Sequence, residues 1–347
     1  MNAPKNWSAA HAKLHVLLRQ RVLIHRNSRI LIAVSGGQDS LCLAQLLIDL
    51  CDKWQWSIGI VHCDHGWRAD SANNAAHVVA LANAWQVPVR VEAAESLVKS
   101  EAAARQWRYQ VFERIAREQA YSYVLTGHTQ SDRAETVLYN LIRGTGTDGL
   151  GTLPWSRPLP APSPAQPNTQ LNTQPPSVTL VRPLLGFTRA ETAQFCQDQQ
   201  ISVWKDSSNQ DISFRRNRIR HELMPYLRSQ FNPQVEQALA QTAEITAADI
   251  DYLNAQTDVV YRQTVVELSD HRPWSIDQTG LSAVPLSLQR RVIRQLLSKV
   301  LPSAPTFEQV EKLLALLSAA NGDQSDSYPG GWIAAVKKPF VILKQSS

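Results

Sequence analysis

An α/β fold is predicted, with a doubly wound parallel sheet followed by a smaller, mainly helical domain. Three observations predict it. Short apolar strand-like runs alternate with helical segments over the first 145 residues. A glycine turn, Ser35-Gly36-Gly37-Gln38-Asp39-Ser40, joins the first apolar run to a helical run. Beyond residue 226 helical periodicity dominates until a closing hairpin.

The elements follow in order. Ile30–Val34 reads as a buried strand and Leu41–Ile48 as helix. Ile58–His62 is a second strand, with a helix from about Ser71 to Trp85. Val87–Val91 is a third strand, followed by a long helix from Lys99 to Gln119. Tyr123–Thr126 is a fourth strand, followed by a helix from about Asp132 to Ile142. A βαβα order implies parallel pairing and ligands at the carboxyl ends of the strands. Residues 154–178 are rich in Pro, Gln, Asn, Ser and Thr, so a disordered surface insertion is expected, dispensable for activity. Structure should resume at Val178–Val181, and Thr188 with Glu191 forms a capping box for a helix to about Gln199. Asn232-Pro233 opens a long helix, with further helices expected at 286–300 and 306–319. Residues 331–343 read as a hairpin. The expected domains are therefore 1–225 and 226–347.

Composition sets the class. The chain has 347 residues, 44% hydrophobic and 19% charged, as a soluble globular protein would. No run is long enough for a membrane span. Leu14–Ile24 is apolar but carries Arg19 and Arg21, which argues against a signal peptide. Cys42, Cys51, Cys63 and Cys196 lack metal or redox spacing, so a reducing cytoplasm is expected. Residues 1–150 hold 16 basic and 13 acidic side chains, and 151–225 hold 8 and 5. Residues 226–347 hold 11 and 12. The positive excess thus lies beside the glycine loop and points to an anionic partner such as nucleic acid.

The loop at 35–40 has the chemistry of a pyrophosphate cradle. Gly36 and Gly37 let backbone N–H groups converge at a helix N-terminus, and Ser35 and Ser40 add hydroxyls. Gln38 completes the turn. Asp39 should repel phosphate unless a divalent cation lies between them. No Walker loop occurs, and the third glycine of a dinucleotide fingerprint is missing. An ordinary strand-to-helix turn capped by Asp39 is the plainer alternative.

Further polar clusters follow the strands. His62-Cys63-Asp64-His65-Gly66-Trp67-Arg68 follows the second. Arg105 and Arg108 share a face of the long helix, as a solvated helix would also have it. Gly127-His128-Thr129-Gln130-Ser131-Asp132 follows the fourth strand, with Glu135 on the same face as Asp132. Trp204–Asn209 is turn-rich. Arg215, Arg216, Arg218 and Arg220 form a dense basic cluster suited to phosphate contacts.

Together these segments resemble the tRNA(Ile) lysidine synthetases, members of the ATP pyrophosphatase (PP-loop) group with a Rossmann-like sheet. The resemblance rests on the loop at 35–40 and on His62, Asp64, His65 and Arg68. It continues through Ala104-Arg105 with Arg108-Tyr109, Gly127-His128, Asp132, Glu135-Thr136 and Arg143-Gly144-Thr145-Gly146. Arg182-Pro183-Leu184, Trp204–Asn209 and Arg216-Asn217 with Ile219-Arg220 and Pro225 complete it. The tail matches more loosely, through Gly330-Gly331-Trp332. Thr129 stands where many members have a second histidine, and Ser131-Asp132 where many have paired acids.

The resemblance implies ligation of free L-lysine to carbon 2 of the wobble cytidine of tRNA(Ile) with a CAU anticodon. ATP would first adenylate the cytidine, releasing pyrophosphate, and AMP would leave in the second step. The implied ATP-binding residues are Ser35, Gly36, Gly37, Gln38, Asp39, Ser40 and His62. Asp39 and Asp132 would bind Mg²⁺. Arg105, Arg108 and His128 would orient the base or stabilise the intermediate. Asp132 or Glu135 would receive the lysine ammonium and help it lose a proton. Arg215, Arg216, Arg218 and Arg220 would hold tRNA. Assembly is open, a homodimer included. The competing readings are a tRNA thiolating enzyme of the same fold, a small-metabolite amide ligase and a non-catalytic nucleotide-binding module.

Overall fold

The computed structural model describes residues 7–66, 70–94, 100–159, 178–204, 211–268 and 273–345. Arg68, Lys205–Asn209 and most of the expected insertion lie outside the described residues. The chain divides into two compact units, 1–247 and 248–347.

The first unit begins with α1 (Ala9–Gln20), β1 (Arg29–Ala33), α2 (Gln38–Trp54), β2 (Ser57–Asp64) and α3 (Ser71–Ala84). It continues with β3 (Val89–Ala93), α4 (Glu101–Glu118), β4 (Tyr123–Thr126), α5 (Gln130–Ile142) and α6 (Thr147–Leu150). Then come β5 (Ser156–Pro158), β6 (Thr179–Val181), a 3₁₀ turn at Pro183–Gly186 and α7 (Arg189–Asp198). A continuous helical run follows: α8 (Arg215–Arg218), a π turn at Ile219–Leu223 and α9 (Met224–Gln230).

The sheet order is β3-β2-β1-β4-β6-β5. All pairs are parallel except β5 with β6. The chain crosses over β1 between β3 and β4, so the topological switch lies between β1 and β4. Both strands bury apolar side chains on two faces, and Ile30, Leu31, Ile32, Val124 and Leu125 are all 1% exposed or less. That explains why they read as unbroken apolar runs. Leu41, Leu43, Leu46, Leu47 and Leu50 of α2 pack into the same core, behind the glycine loop.

Two boundaries differ from those expected. Residues 156–159 and 178, expected within the insertion, are ordered: β5 pairs with β6 and Leu159 N–H donates to the Val178 carbonyl at 2.8 Å. Leu159 and Val178 are both buried, so this edge has a core to pack on. The first unit also runs past 225. Val235 and Leu239 pack with Ala134, Leu138, Ile219 and Met224, which ties the start of α10 (Val235–Thr264) to this unit.

The second unit is mainly helical and ends in a hairpin, as expected, with a small antiparallel sheet besides. Besides the end of α10 it has β7 (Val265–Glu267), β8 (Trp274–Asp277), α11 (Gln278–Ser282), α12 (Leu286–Val300), α13 (Phe307–Ala315), β9 (Trp332–Lys337) and β10 (Phe340–Gln345). The hairpin β9–β10 extends to a four-stranded antiparallel sheet, β7-β8-β10-β9. Val292, Ile293, Leu296 and Leu297 of α12 share one core with Leu313, Val341 and Leu343.

Candidate active site

The carboxyl ends of β1 and β4 open into a crevice of about 790 Å³. Its floor is the loop between β1 and α2. Ser35 N–H and the Ser35 hydroxyl both lie 3.1 Å from Ser40 Oγ, which donates to the Gly37 carbonyl at 2.8 Å. Gly36 has φ +86°, a left-handed conformation that glycine adopts without strain. Gly127, just past β4, lies against the first turn of α2. A Cβ there would meet the Asp39 carbonyl carbon and oxygen at 2.8 Å and Ser40 N at 2.9 Å. Glycine at 127 therefore lets the two strand ends close on each other.

Asp39 occupies the first turn of α2 and is half-buried. Thr192 Oγ1 donates to its Oδ1 at 2.5 Å, and Arg189 Nε lies 3.5 Å from Oδ2. Burial pushes the Asp39 carboxyl above its usual range. The nearby Asp132 charge adds to this, and Arg189 opposes it.

Asp132 and Glu135 project from the start of α5 and are buried. Thr129 caps this helix: its N–H and hydroxyl donate to Asp132 Oδ2 at 2.8 and 3.0 Å. A capping role thus accounts for threonine at 129. Asp132 Oδ1 faces three guanidinium groups, with Arg189 at 2.9 Å, Arg216 at 3.2 Å and Arg220 at 3.6 Å. Glu135 takes Arg189 at 2.9 Å, Arg216 at 3.4 Å and both Nε and Nη2 of Arg220 at 2.9 Å. Burial alone would raise both carboxyls. The arginines outweigh it and hold each below its ordinary range.

His62 Nδ1 donates to the Val34 carbonyl at 2.8 Å, which leaves Nε2 as an acceptor. Burial lowers its pKa and keeps it neutral. His128 shares a 2.9 Å hydrogen bond with the Thr126 hydroxyl. Burial pulls its ring far below the usual imidazole range. Asp132 opposes that shift, and Arg182, Arg216 and Arg105 reinforce it. Arg105 and Arg108 line the opposite wall on α4.

The structure therefore gathers Ser35, Gly37, Gln38, Asp39, Ser40, His62, Arg105, Arg108, His128 and Asp132 around one crevice. The basic cluster splits. Arg215 and Arg218 are exposed. Arg216 and Arg220 instead turn inward, because Asp132 and Glu135 offer buried carboxylates. Sequence reasoning missed Arg189, Thr192 and Glu236. Arg189 and Thr192 lie one turn apart at the start of α7 and reach carboxylates from 54 to 153 residues away. The only local signal there is the capping box.

A second cavity, of about 470 Å³, lies beyond the arginine network. It shares Arg189 and Arg220 with the crevice and is also lined by Glu135, Glu236 and Arg228. Glu236 accepts from the Ser131 hydroxyl at 2.7 Å and pairs with Arg228.

Residues 8–227 match the PP-loop domain family, and residues 277–334 match the TilS substrate binding domain. The chain is 50% identical over 349 residues to the tRNA(Ile)-lysidine synthase of a Nostoc species, covering 97% of each protein. The chain belongs to the tRNA(Ile)-lysidine synthase family. The Synechocystis tRNA(Ile)-lysidine synthase is 45% identical, covering 96% of this chain and 97% of that protein. A chloroplastic tRNA(Ile)-lysidine synthase from Zygnema circumcarinatum is 37% identical, with 89% and 80% covered. Among solved structures, the U34-tRNA thiolase NcsA of Methanococcus maripaludis superposes with TM-score 0.54 at 15% identity. It covers 69% of this chain and 78% of that one, a likeness of fold alone. As a family member the chain is an ATP-dependent ligase with an ATP-binding PP-loop domain. No described helix is long and apolar enough to cross a membrane.

The crevice also bears on metal binding. Among the described residues, no group of three or more His, Cys, Asp or Glu is placed to hold a metal ion. Mg²⁺ needs only one or two carboxylates when phosphates supply the other ligands. Asp39 fits that need, since it is a hard oxygen donor whose charge burial leaves under-compensated. Asp132 fits less well, because its Oδ2 is engaged by Thr129 in the helix cap and its Oδ1 already faces three guanidinium groups.

Proposed function

We propose that this chain joins lysine to carbon 2 of the wobble cytidine of a CAU-anticodon tRNA(Ile) inside the crevice between β1 and β4. The observation that carries this reading is the meeting of the pyrophosphate loop, Asp39 and Asp132 at that one crevice, with Glu135 tied to Asp132 through the arginines they share.

ATP lies with its β- and γ-phosphates on the loop N–H groups and on Ser35 and Ser40. His62 Nε2, an acceptor, receives a hydrogen bond from the adenosine. Asp39 would be the chief protein ligand of Mg²⁺, which would supply positive charge against the leaving pyrophosphate. The cytidine leaves its stack to bring its carbonyl oxygen to the α-phosphate. Arg105 and Arg108 balance the phosphate charge, while neutral His128 offers a hydrogen bond without adding to it.

Lysine enters through the second cavity. Its α-carboxylate meets Arg228 and its α-ammonium meets Glu236, which leaves the side chain directed at Glu135 and Asp132. Their depressed pKa values suit these carboxylates to binding an ammonium rather than accepting its proton. The ammonium gives its proton to solvent, the neutral amine bonds to carbon 2, and the bond from carbon 2 to the adenylated oxygen breaks so that AMP leaves with that oxygen. Arg215 and Arg218, exposed on the Arg215–Gln230 helical run, contact tRNA phosphates. With a tRNA substrate and four free thiols, the protein works in the cytoplasm.

Thiolation is disfavoured by the cysteines themselves. Burial raises the Cys63 thiol to about 12, and Cys42 and Cys196 are packed in the core. Cys63, the cysteine that lines the crevice, is thus a poor nucleophile, and the buried Cys42 and Cys196 do not line it. Incubation with ATP, Mg²⁺, lysine and tRNA, then mass analysis of the nucleosides, tests the ligation. A lysine-modified cytidine supports it, and a sulfur adduct or unchanged cytidine overturns it.

A further inference from the structure

Asn74, on α3, holds the pyrophosphate loop from the edge of the crevice it helps line and is 9% exposed. Its Nδ2 donates to the Ser35 carbonyl at 3.0 Å. Its Oδ1 fills the space beside Gly36, where an added Cβ would come within 2.1 Å of it. The next carbonyl, that of Gly36, accepts from Trp204 N–H at 3.0 Å. Trp204 is itself held by α3 and its cap: its indole N–H donates to Asp70 Oδ2 at 3.3 Å, and its ring centre lies 5.6 Å from that of His77. His77 Nε2 donates to the Ser202 carbonyl at 2.7 Å. Asp70, Asn74 and His77 are spaced four and three apart, so they share one face.

A trans peptide carries its C=O and N–H on opposite sides. Drawing the Ser35 carbonyl toward Asn74 therefore turns the Gly36 N–H the other way. Drawing the Gly36 carbonyl toward Trp204 does the same for the Gly37 N–H. Two glycines permit this backbone shape, but permission alone leaves the donors free to rotate. The α3 face removes that freedom.

We propose that Asn74 is a positioning residue for phosphate binding, fixing the peptide orientation that aims consecutive loop N–H groups into the crevice. Its Nδ2 is engaged by the Ser35 carbonyl, so it acts through the loop. The proposal rests on the reading of the crevice as the ATP site, and deepens it by assigning the preorganisation of that site to α3.

Two variants of the full chain test it. Asn74→Ala removes the side chain. Asn74→Asp keeps its volume but replaces the donor with an oxygen facing the Ser35 carbonyl. The readouts are Kd for ATP and for inorganic pyrophosphate by calorimetry, KM for lysine, tRNA affinity and the thermal midpoint. Both variants should weaken ATP and pyrophosphate about tenfold, with lysine KM and tRNA affinity changed less than about twofold. If the wild-type chain binds no ATP, the reading of the crevice itself fails. If the wild type binds ATP and Asn74→Asp binds it equally well, the positioning role is overturned. A uniform loss of ATP, lysine and tRNA binding with a falling thermal midpoint overturns it too, since it marks a merely structural residue.

Discussion

The Arg220 guanidinium donates two parallel hydrogen bonds to the Glu135 carboxylate, both at 2.9 Å. A residue expected on a tRNA-facing surface thus lines both the crevice and the second cavity. Glu135 is 2% exposed and is the carboxylate on which Arg189, Arg216 and Arg220 converge.

Removing that charge should be costly. Glu135→Gln leaves three guanidinium groups short of a partner and should destabilise the first unit by about 3–5 kcal/mol. Urea unfolding of the full chain measures this. The folded pKa of Glu135 is depressed, so its contribution is present above the unfolded value of about 4.3 and is lost as pH falls through the folded value. The gap between wild type and Glu135→Gln should therefore hold from pH 8 to 5 and close in stronger acid. A gap constant down to pH 2 would contradict the ion-pair account.

Asp39 should behave in the opposite sense. Its folded pKa is raised, so its charge costs stability once pH exceeds the unfolded value, and fully so above the folded one. Asp39→Asn should keep or raise the thermal midpoint at pH 7.5 while lowering turnover roughly 10²–10³-fold. Loss of both stability and activity would mean that Asp39 holds the fold instead. Arg189→Gln removes the charge that opposes the raised pKa, so the acid limb of ATP binding should move to higher pH.

The two halves of the arginine cluster should separate in a salt titration. Arg215→Gln and Arg218→Gln should each flatten the slope of log affinity for tRNA against log salt by roughly 0.7–0.9 for every phosphate left without its arginine. Arg216→Gln and Arg220→Gln should leave that slope in place and instead raise the KM for lysine. The same slope change in all four would mean that the inward pair opens toward tRNA.

His128 should remain neutral throughout the working range. Its pKa is lowered by burial, so its ring proton shift in NMR should stay flat from pH 8 to 5.5. The unfolded chain gains a proton near 6.5 that the folded site refuses. His128 therefore favours the folded state above that pH and loses this contribution as pH falls toward the folded value. A titration midpoint near 6.5 would contradict the buried, neutral ring.

Much of the fold was legible because its signals are local. Ile30–Val34, the glycine turn and the leucine-rich α2 are adjacent in sequence, so strand, turn and helix read directly. Strands β7 and β8 are three and four residues long, too short for an alternating pattern to emerge. The site was legible in its residue types but not in its pairings. Arg216 and Arg220 read as a solvated or phosphate-facing run because their carboxylate partners lie 81 to 85 residues earlier. Arg189 was hidden inside a capping box whose own chemistry explained the segment. Asn74 gave no signal, since its partner is a backbone carbonyl.

The central claim is that ATP is split in this crevice to activate a base of tRNA. Pyrophosphate release, measured with ATP, Mg²⁺ and CAU-anticodon tRNA(Ile) before lysine is added, tests it most directly. The predicted result is a burst that requires the tRNA, does not exceed one pyrophosphate per tRNA and is absent from Asp39→Asn. Release that proceeds equally without tRNA, or that Asp39→Asn supports at the wild-type rate, would contradict it.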